Sequence, residues 1–264
     1  EMRSSRMNQS GLRSIAQSIS QKISEARAGE HFFTVPFEHI VLDNFFPGDL
    51  ALSASRAFPS VTSGLWDFQN DSDIEVKYRS TWQSEFDIPD DILPLVRVMN
   101  SAPILTAIGD RLGIPKLVPD PYFTGGGLNV TAKSGLLDVH VDGNYHDASG
   151  LNRRVNIILY LTESWQDEWG GHFGIYDGSG EVCRKKVAPL FNRAVIFHTH
   201  DKSFHGLPDP LCCPEEVVRK SLILYYYTKA DRPTHLVDVN KPHSALWKKR
   251  GLLDKRGNKT RMFS

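Results

Sequence analysis

The chain has 264 residues, 40% hydrophobic and 23% charged, which is enough for one sizeable core and ordinary for a globular protein. Its 31 Lys and Arg balance 31 Asp and Glu, so global charge argues for neither a nucleic-acid nor a membrane-surface partner, and no apolar run is long enough to span a bilayer. Three cysteines (Cys183, Cys212, Cys213) form neither an even disulfide set nor a CxxC zinc pattern, and residues 2–28 lack the apolar stretch of a secretory signal; a reducing, cytoplasmic setting is expected.

Residues 1–30 are polar, but Leu12, Ile15, Ile19 and Ile23 recur every three or four positions, which predicts a short amphipathic helix packing on the domain or fraying in solvent. Strand-like runs follow at 32–35 and 39–42. Pro47-Gly48-Asp49 then interrupts the pattern and opens a helix running through Ala57. Residues 92–112 carry helical spacing up to Gly113 and predict one long supporting helix.

Beyond Gly125-Gly126-Gly127 the pattern changes. Short apolar or alternating runs at 128–131, 136–141, 155–161, 172–176, 194–197 and 222–227 are separated by Gly, Pro and polar turns. That spacing argues for a β-sandwich or barrel rather than βαβ units, hence a mainly β chain braced by helices. From Lys241 onward Lys248, Lys249, Arg250, Lys255, Arg256, Lys259 and Arg261 face only Asp254, which predicts a solvated basic tail; attraction to an anionic partner is the functional alternative. The expected division is a polar N-terminal helix or tail at 1–30, the main domain at 31–240 and a basic tail at 241–264.

The chemistry concentrates in Leu137-Asp138-Val139-His140-Val141-Asp142-Gly143. Side chains two apart on a strand share a face, so His140 and Asp142 reach the same point while Leu137, Val139 and Val141 pack on the other side. Two ionisable groups on an inward face need compensation, which a divalent cation supplies. The third ligand is sought among His198, His200 and His205, with His146 nearby. His205 is preferred because Phe204 and Gly206-Leu207-Pro208 fix its backbone, whereas His198 and His200 sit in a polar turn suited to a solvent-facing or supporting place. Two imidazoles and one carboxylate with positions left open suit non-haem Fe(II).

Arg219 and Ser221 open an apolar strand two positions apart, and both can point inward to hold the far end of a dicarboxylate, with Lys220 as the rival cation on the opposite face. Tyr160 shares a face with Asn156 and Ile158, and its hydroxyl either reaches that carboxylate or belongs to the core. Asn144, Tyr145 and His146, together with a lid region containing Trp66, Lys77, Arg79 and Trp82, are the candidates for lining a substrate cleft.

Four ordered motifs carry a resemblance: Gly135-Leu136-Leu137-Asp138-Val139-His140-Val141-Asp142; Arg153-Arg154-Val155-Asn156-Ile157-Ile158-Leu159-Tyr160-Leu161; Trp165 with Glu168-Trp169-Gly170-Gly171; and Ser203-Phe204-His205-Gly206 leading to Arg219-Lys220-Ser221. Over roughly residues 35–235 the chain resembles the Fe(II)- and 2-oxoglutarate-dependent dioxygenases of the prolyl-4-hydroxylase-like branch. The resemblance implies a double-stranded β-helix, a cupin-like jelly roll. It also implies metal on His140, Asp142 and His205, 2-oxoglutarate held by Arg219 with Ser221 and Tyr160, and Asn129 at a position often tyrosine in the family. Residues 209–216 lengthen the usual interval between the second histidine and the arginine. The activity implied is hydroxylation of a C–H bond with Fe(II), 2-oxoglutarate and O2, ascorbate being a possible accessory reductant. The substrate class, protein, peptide or small molecule, is left open. Alternatives are a cupin-like metalloenzyme acting as isomerase or hydrolase, or a non-catalytic binding module on the same fold.

Overall fold

The computed structural model describes residues 8–238 and 241–257; the expected basic positions Lys259 and Arg261 lie outside the described residues. Among the described residues, four α-helices and fourteen strands follow in chain order. The N-terminal half holds α1 (Gln9–Ser24), β1 (Phe32–Phe33), β2 (His39–Leu42), α2 (Gly48–Arg56), β3 (Trp66–Asp71), β4 (Glu75–Ser80), α3 (Leu93–Met99) and α4 (Ala102–Leu112). The remainder is β5 (Val118–Pro119), β6 (Gly127–Thr131), β7 (Leu136–Val141), β8 (Asn152–Tyr160), β9 (Phe173–Tyr176), β10 (Cys183–Val187), β11 (Ala194–His198), β12 (His205–Leu207), β13 (Arg219–Thr228) and β14 (Leu246–Trp247).

The strands run antiparallel in the order β1-β2-β11-β8-β13-β6-β4-β7-β12-β9-β10. The hairpin strand β4 joins two runs: Tyr78 and Arg79 pair with β6, and Glu75 and Val76 pair with β7. The sheet curls so that β8 and β11 face β9 and β10 across a shared core of Ile158, Tyr160, Phe173, Ile175, Val195 and Phe197. The other face of β8, Val155, Ile157 and Leu159, packs with Ile196, Leu222 and Leu224 against all four helices. With both faces covered, β8 reads as a nearly continuous apolar run instead of a clean alternation. The curled antiparallel sheet agrees with the sandwich or barrel expected from the strand spacing and with the jelly roll that the resemblance implies.

The helix expected at 92–112 is two helices. Pro103 lies in the first turn of α4. In one continuous helix it would lack the N–H for a backbone bond and press its ring on the carbonyl of Met99, so the chain turns at Asn100 and Ser101. The β3–β4 hairpin stands where a lid was expected. Trp82 is not part of any lid, because it is buried in the core with its ring 5.7 Å from Phe123. The N-terminal helix takes the packed alternative: α1 is capped by Asn8, whose side chain accepts from Gly11, and buries Ala16, Ile19 and Ile23 against the core.

The described part of the C-terminal segment, 241–257, is not a solvated tail. β14 pairs with β7, placing Leu246 beside Val141 and Trp247 beside His140, and His243 is fully buried. Its basic side chains are largely spent inside the molecule: Lys248 pairs with Glu181, Arg250 with Asp71 and Lys255 with Glu75. Those pairs tie the segment to the β3–β4 hairpin and to the loop before β10.

Two buried histidines make a stability prediction. Burial lowers His39 to about 4, helped by Lys185 and opposed by the Phe37 carbonyl. Burial also lowers His200 to about 3, with His198 and Arg232 adding to it. Both folded values lie below the ordinary 6.5, so between pH 6.5 and about 4 the unfolded chain binds more protons and folding is penalised as pH falls, by up to ~1.4 kcal/mol per pH unit for each group. Urea unfolding should show stability level near pH 7.5 and declining from about pH 6.5 downward; a flat profile across that window would contradict the burial of these rings.

Candidate metal centre

Alternation along β7 sends Val139 and Val141 outward against Phe204 and Leu246, while His140 and the residue just past the strand end, Asp142, turn inward. His205, the first residue of β12, lies directly across from His140 in the β12–β7 register, with ring centroids 4.4 Å apart. Gly206 permits that approach: a Cβ there would stand 2.8 Å from the Asp138 carbonyl oxygen.

Asp142 Oδ1 is 3.5 Å from His140 Nε2 and 3.6 Å from His205 Nε2. One atom from each of the three buried residues falls within 4.8 Å of the others, a geometry that can hold a metal ion. The tautomers suit this. His140 Nδ1 donates to Asp138 O at 2.8 Å and His205 Nδ1 donates to Ser203 O at 2.9 Å, which leaves both Nε2 lone pairs aimed at the carboxylate side. Burial pushes His205 down to about 4 against the pull of Asp142, so its imidazole is neutral at neutral pH. Burial would raise the Asp142 carboxyl, but His205, His140 and Arg153 outweigh it and hold the group well below the usual carboxylate range. A neutral imidazole and an ionised carboxylate are the states that bind a metal without first losing a proton. Phe173 and Phe197 flank the His205 ring, and the Trp247 ring lies 4.6 Å from that of His140.

His140 and Asp142 open onto a cleft of about 370 Å³ walled by Lys77, Arg79, Arg153, Tyr225 and Trp247. A larger hollow of about 640 Å³ lies beyond Tyr145, and none of the three converging side chains lines it.

Deeper in the same barrel, the register sets Tyr160, Ser221 and Asn129 in one row across β8, β13 and β6. Arg219, one inward position along β13, is buried; its Nε donates to Gly171 O at 2.8 Å and its Cζ lies 4.8 Å from the centroid of the Tyr160 ring. Gly171 has φ 71° and no room for a side chain, since a Cβ would meet Leu211 at 2.8 Å and Arg219 Cδ at 3.1 Å. Burial, opposed by Arg219, raises the Tyr160 hydroxyl, which therefore keeps its proton. Among the described residues, Tyr160 Oη and Asn129 Nδ2 are buried without a hydrogen-bond partner. A buried donor left unpaired costs ~1–3 kcal/mol, so a guanidinium, a hydroxyl and an amide gathered on one inward face fit an acceptor-only ligand such as a carboxylate. The donor sets here and at His140, Asp142 and His205 thus suit an anionic ligand and a divalent ion. Lys220 is on the other face, donating to Ser55 O at 2.9 Å, and does not enter this row.

His198 and His200 are buried rather than solvent-facing. His198 bonds Glu38 at 3.0 Å and Arg154 at 3.3 Å, because β11 ends beneath the loop before β2. His146 does not line the cleft, since Asp120 holds it inside at 2.9 Å. Asn144 instead anchors the C-terminal segment through the backbone of Lys241 and His243. Sequence reasoning gave no role to Asn156, Gly171 or Trp247. A lone asparagine in the apolar run Val155-Asn156-Ile157-Ile158 was a usable signal; for Trp247 there was none.

The family model described as 2OG-Fe(II) oxygenase superfamily matches residues 126–227, the stretch from β6 to β13 that carries every residue of both donor sets. The prolyl 3-hydroxylase OGFOD1 of Mus musculus is 33% identical over 86 residues, 31% of this chain. That match spans only 15% of the curated relative's length. Among solved structures, a prolyl hydroxylase of Trichoplax adhaerens in complex with a hypoxia inducible factor oxygen degradation domain peptide fragment superposes with a TM-score of 0.57 at 15% identity, covering 84% of this chain and 94% of that one. A Pseudomonas putida prolyl-4-hydroxylase superposes with a TM-score of 0.52 at 16% identity, covering 82% and 100%. At such identities the structural likeness speaks for the fold.

Proposed function

We propose that this chain, which carries a 2OG-Fe(II) oxygenase superfamily domain over residues 126–227, is a 2-oxoglutarate-dependent dioxygenase that hydroxylates a C–H bond. The carrying observation is the convergence of His140, Asp142 and His205 on one point, in the same barrel as two buried donors, Tyr160 Oη and Asn129 Nδ2, that lack a hydrogen-bond partner among the described residues. In this reading those three residues hold Fe(II), and Arg219, Ser221, Tyr160 and Asn129 hold the distal carboxylate of 2-oxoglutarate. When bound, the ion and co-substrate supply the oxidising chemistry: 2-oxoglutarate is decarboxylated to succinate and CO2, and one atom of O2 enters the substrate.

The protein's share is binding and orientation. Asp138 O and Ser203 O hold the two imidazoles in the ligating tautomer, and the phenyl rings of Phe173 and Phe197 keep water from His205. Gly171 O fixes the plane of the Arg219 guanidinium, and Tyr160 keeps its hydroxyl proton for donation. The catalytic unit is residues 31–240, with α1 and the described C-terminal segment packed on it. A cytoplasmic setting is in keeping with three unpaired thiols; among the described residues no helix is long and apolar enough to cross a membrane.

For the substrate we favour a prolyl residue of a protein or peptide, because the curated relative and both superposed structures are prolyl hydroxylases. The test is succinate release with Fe(II) and 2-oxoglutarate across panels of proline-containing peptides, free amino acids and sugars. Stimulation by peptides with a product 16 Da heavier is the expected result. Stimulation by small molecules alone would remove the prolyl assignment, and no 2-oxoglutarate turnover with any panel would remove the oxygenase.

A further inference from the structure

Asn156 is 2% exposed and faces inward from β8. Its Nδ2 donates to Asp142 Oδ2 at 3.0 Å. The other carboxylate oxygen, Oδ1, is the one turned toward His140 Nε2 and His205 Nε2. The two oxygens of Asp142 are therefore divided, one toward the imidazoles and one toward an amide. The amide nitrogen is the atom on the Asp142 side, and Asn156 Oδ1 points away from the carboxylate. That Oδ1 is buried and has no donor among the described residues. A position that only filled the core would be better served by an aliphatic side chain, like those of its neighbours Val155, Ile157 and Ile158.

We infer that Asn156 is a positioning residue that keeps Asp142 a one-oxygen ligand. This rests on the reading of His140, Asp142 and His205 as the metal set. An octahedral ion held by two imidazoles and one carboxylate oxygen keeps about half of its coordination positions for reactants, and a carboxylate that swung to bind through both oxygens would remove one of them. The N–H on Oδ2 opposes that swing and pins the carboxylate plane. No other side chain hydrogen-bonds this oxygen among the described residues, so the task falls to Asn156 alone. The unpartnered Oδ1 is poised to accept a hydrogen bond from a donor that arrives when the site is loaded.

The test uses the full chain with Co(II) alone as the probe, followed by titration and by its visible absorption. Asn156→Leu keeps the branched shape with larger end groups and removes the amide; Asn156→Ala removes it without crowding and covers the case in which leucine disturbs folding. The expected result for each folded variant is Co(II) affinity weaker by about 10–100-fold. A shifted visible band, as the second carboxylate oxygen displaces a water from the ion, should accompany it, with thermal unfolding of the metal-free protein within a few degrees of wild type. Wild-type affinity and an unchanged band in both variants would overturn the inference and leave the metal site standing. A wild-type chain that takes up no Co(II) would instead overturn the reading on which it rests.

Discussion

Asp142→Ala abolishes metal uptake and, with it, 2-oxoglutarate turnover whether or not a substrate is present. Of the three converging side chains, only Asp142 carries negative charge; its loss leaves His140 and His205 facing a divalent ion without charge compensation, and leaves Asn156 Nδ2 without its acceptor. The loss in Fe(II) or Co(II) binding is expected to be at least ~3 kcal/mol, or over a hundredfold in Kd. The variant should still fold, because the surrounding wall of Phe173, Ile175 and Phe197 is untouched. Circular dichroism establishes the fold and calorimetric titration the affinity. Unchanged succinate release from a folded Asp142→Ala chain would end the metal assignment.

Arg219→Ala should act on the co-substrate and not on the metal. A paired guanidinium–carboxylate contact contributes ~1.5–3 kcal/mol, so the KM for 2-oxoglutarate is expected to rise roughly 10–150-fold while Co(II) affinity stays within a factor of about three. Arg219→Lys recovers part of the loss, since a single ammonium cannot reproduce the two-pronged contact or the Nε bond to Gly171 O. Lys220→Ala is the control: its ammonium serves the Ser55 carbonyl on the helix side of β13, so its removal leaves the KM for 2-oxoglutarate unchanged. If Lys220→Ala raised that KM and Arg219→Ala did not, the carboxylate anchor would be on the wrong face of the strand.

The contrast between these neighbours shows what a period of two conveys. Because alternate residues of a strand face opposite sides, the pattern around His140 and Asp142 told which side chains share a face, and the same rule separated Arg219 and Ser221 from Lys220. Tyr160 and Asn129 were legible as candidates, but their meeting with Ser221 in one row depends on the register of β8, β13 and β6, which no local pattern encodes. The misreadings have the same origin. His198 and His200 look like turn residues from their polar neighbours, yet Glu38, far away in sequence, closes over His198 and buries it. Lys248, Arg250 and Lys255 look like part of a tail, and it takes Glu181, Asp71 and Glu75 on distant elements to hold them in place.

By itself the sequence determined the composition of the core, the change from helical to strand periodicity after Gly125-Gly126-Gly127, and the inward face of each strand that carries chemistry, because these follow from side-chain spacing along a single segment. Only the tertiary structure decided which inward faces meet. The pairing of β12 with β7 brings His205 to His140, β8 brings Asn156 to Asp142, and β14 closes the cleft with Trp247. Those contacts join residues from 14 to more than 100 positions apart, and they are chosen by burial and hydrogen bonding across the whole curled sheet, an energy to which no short stretch of chain has access.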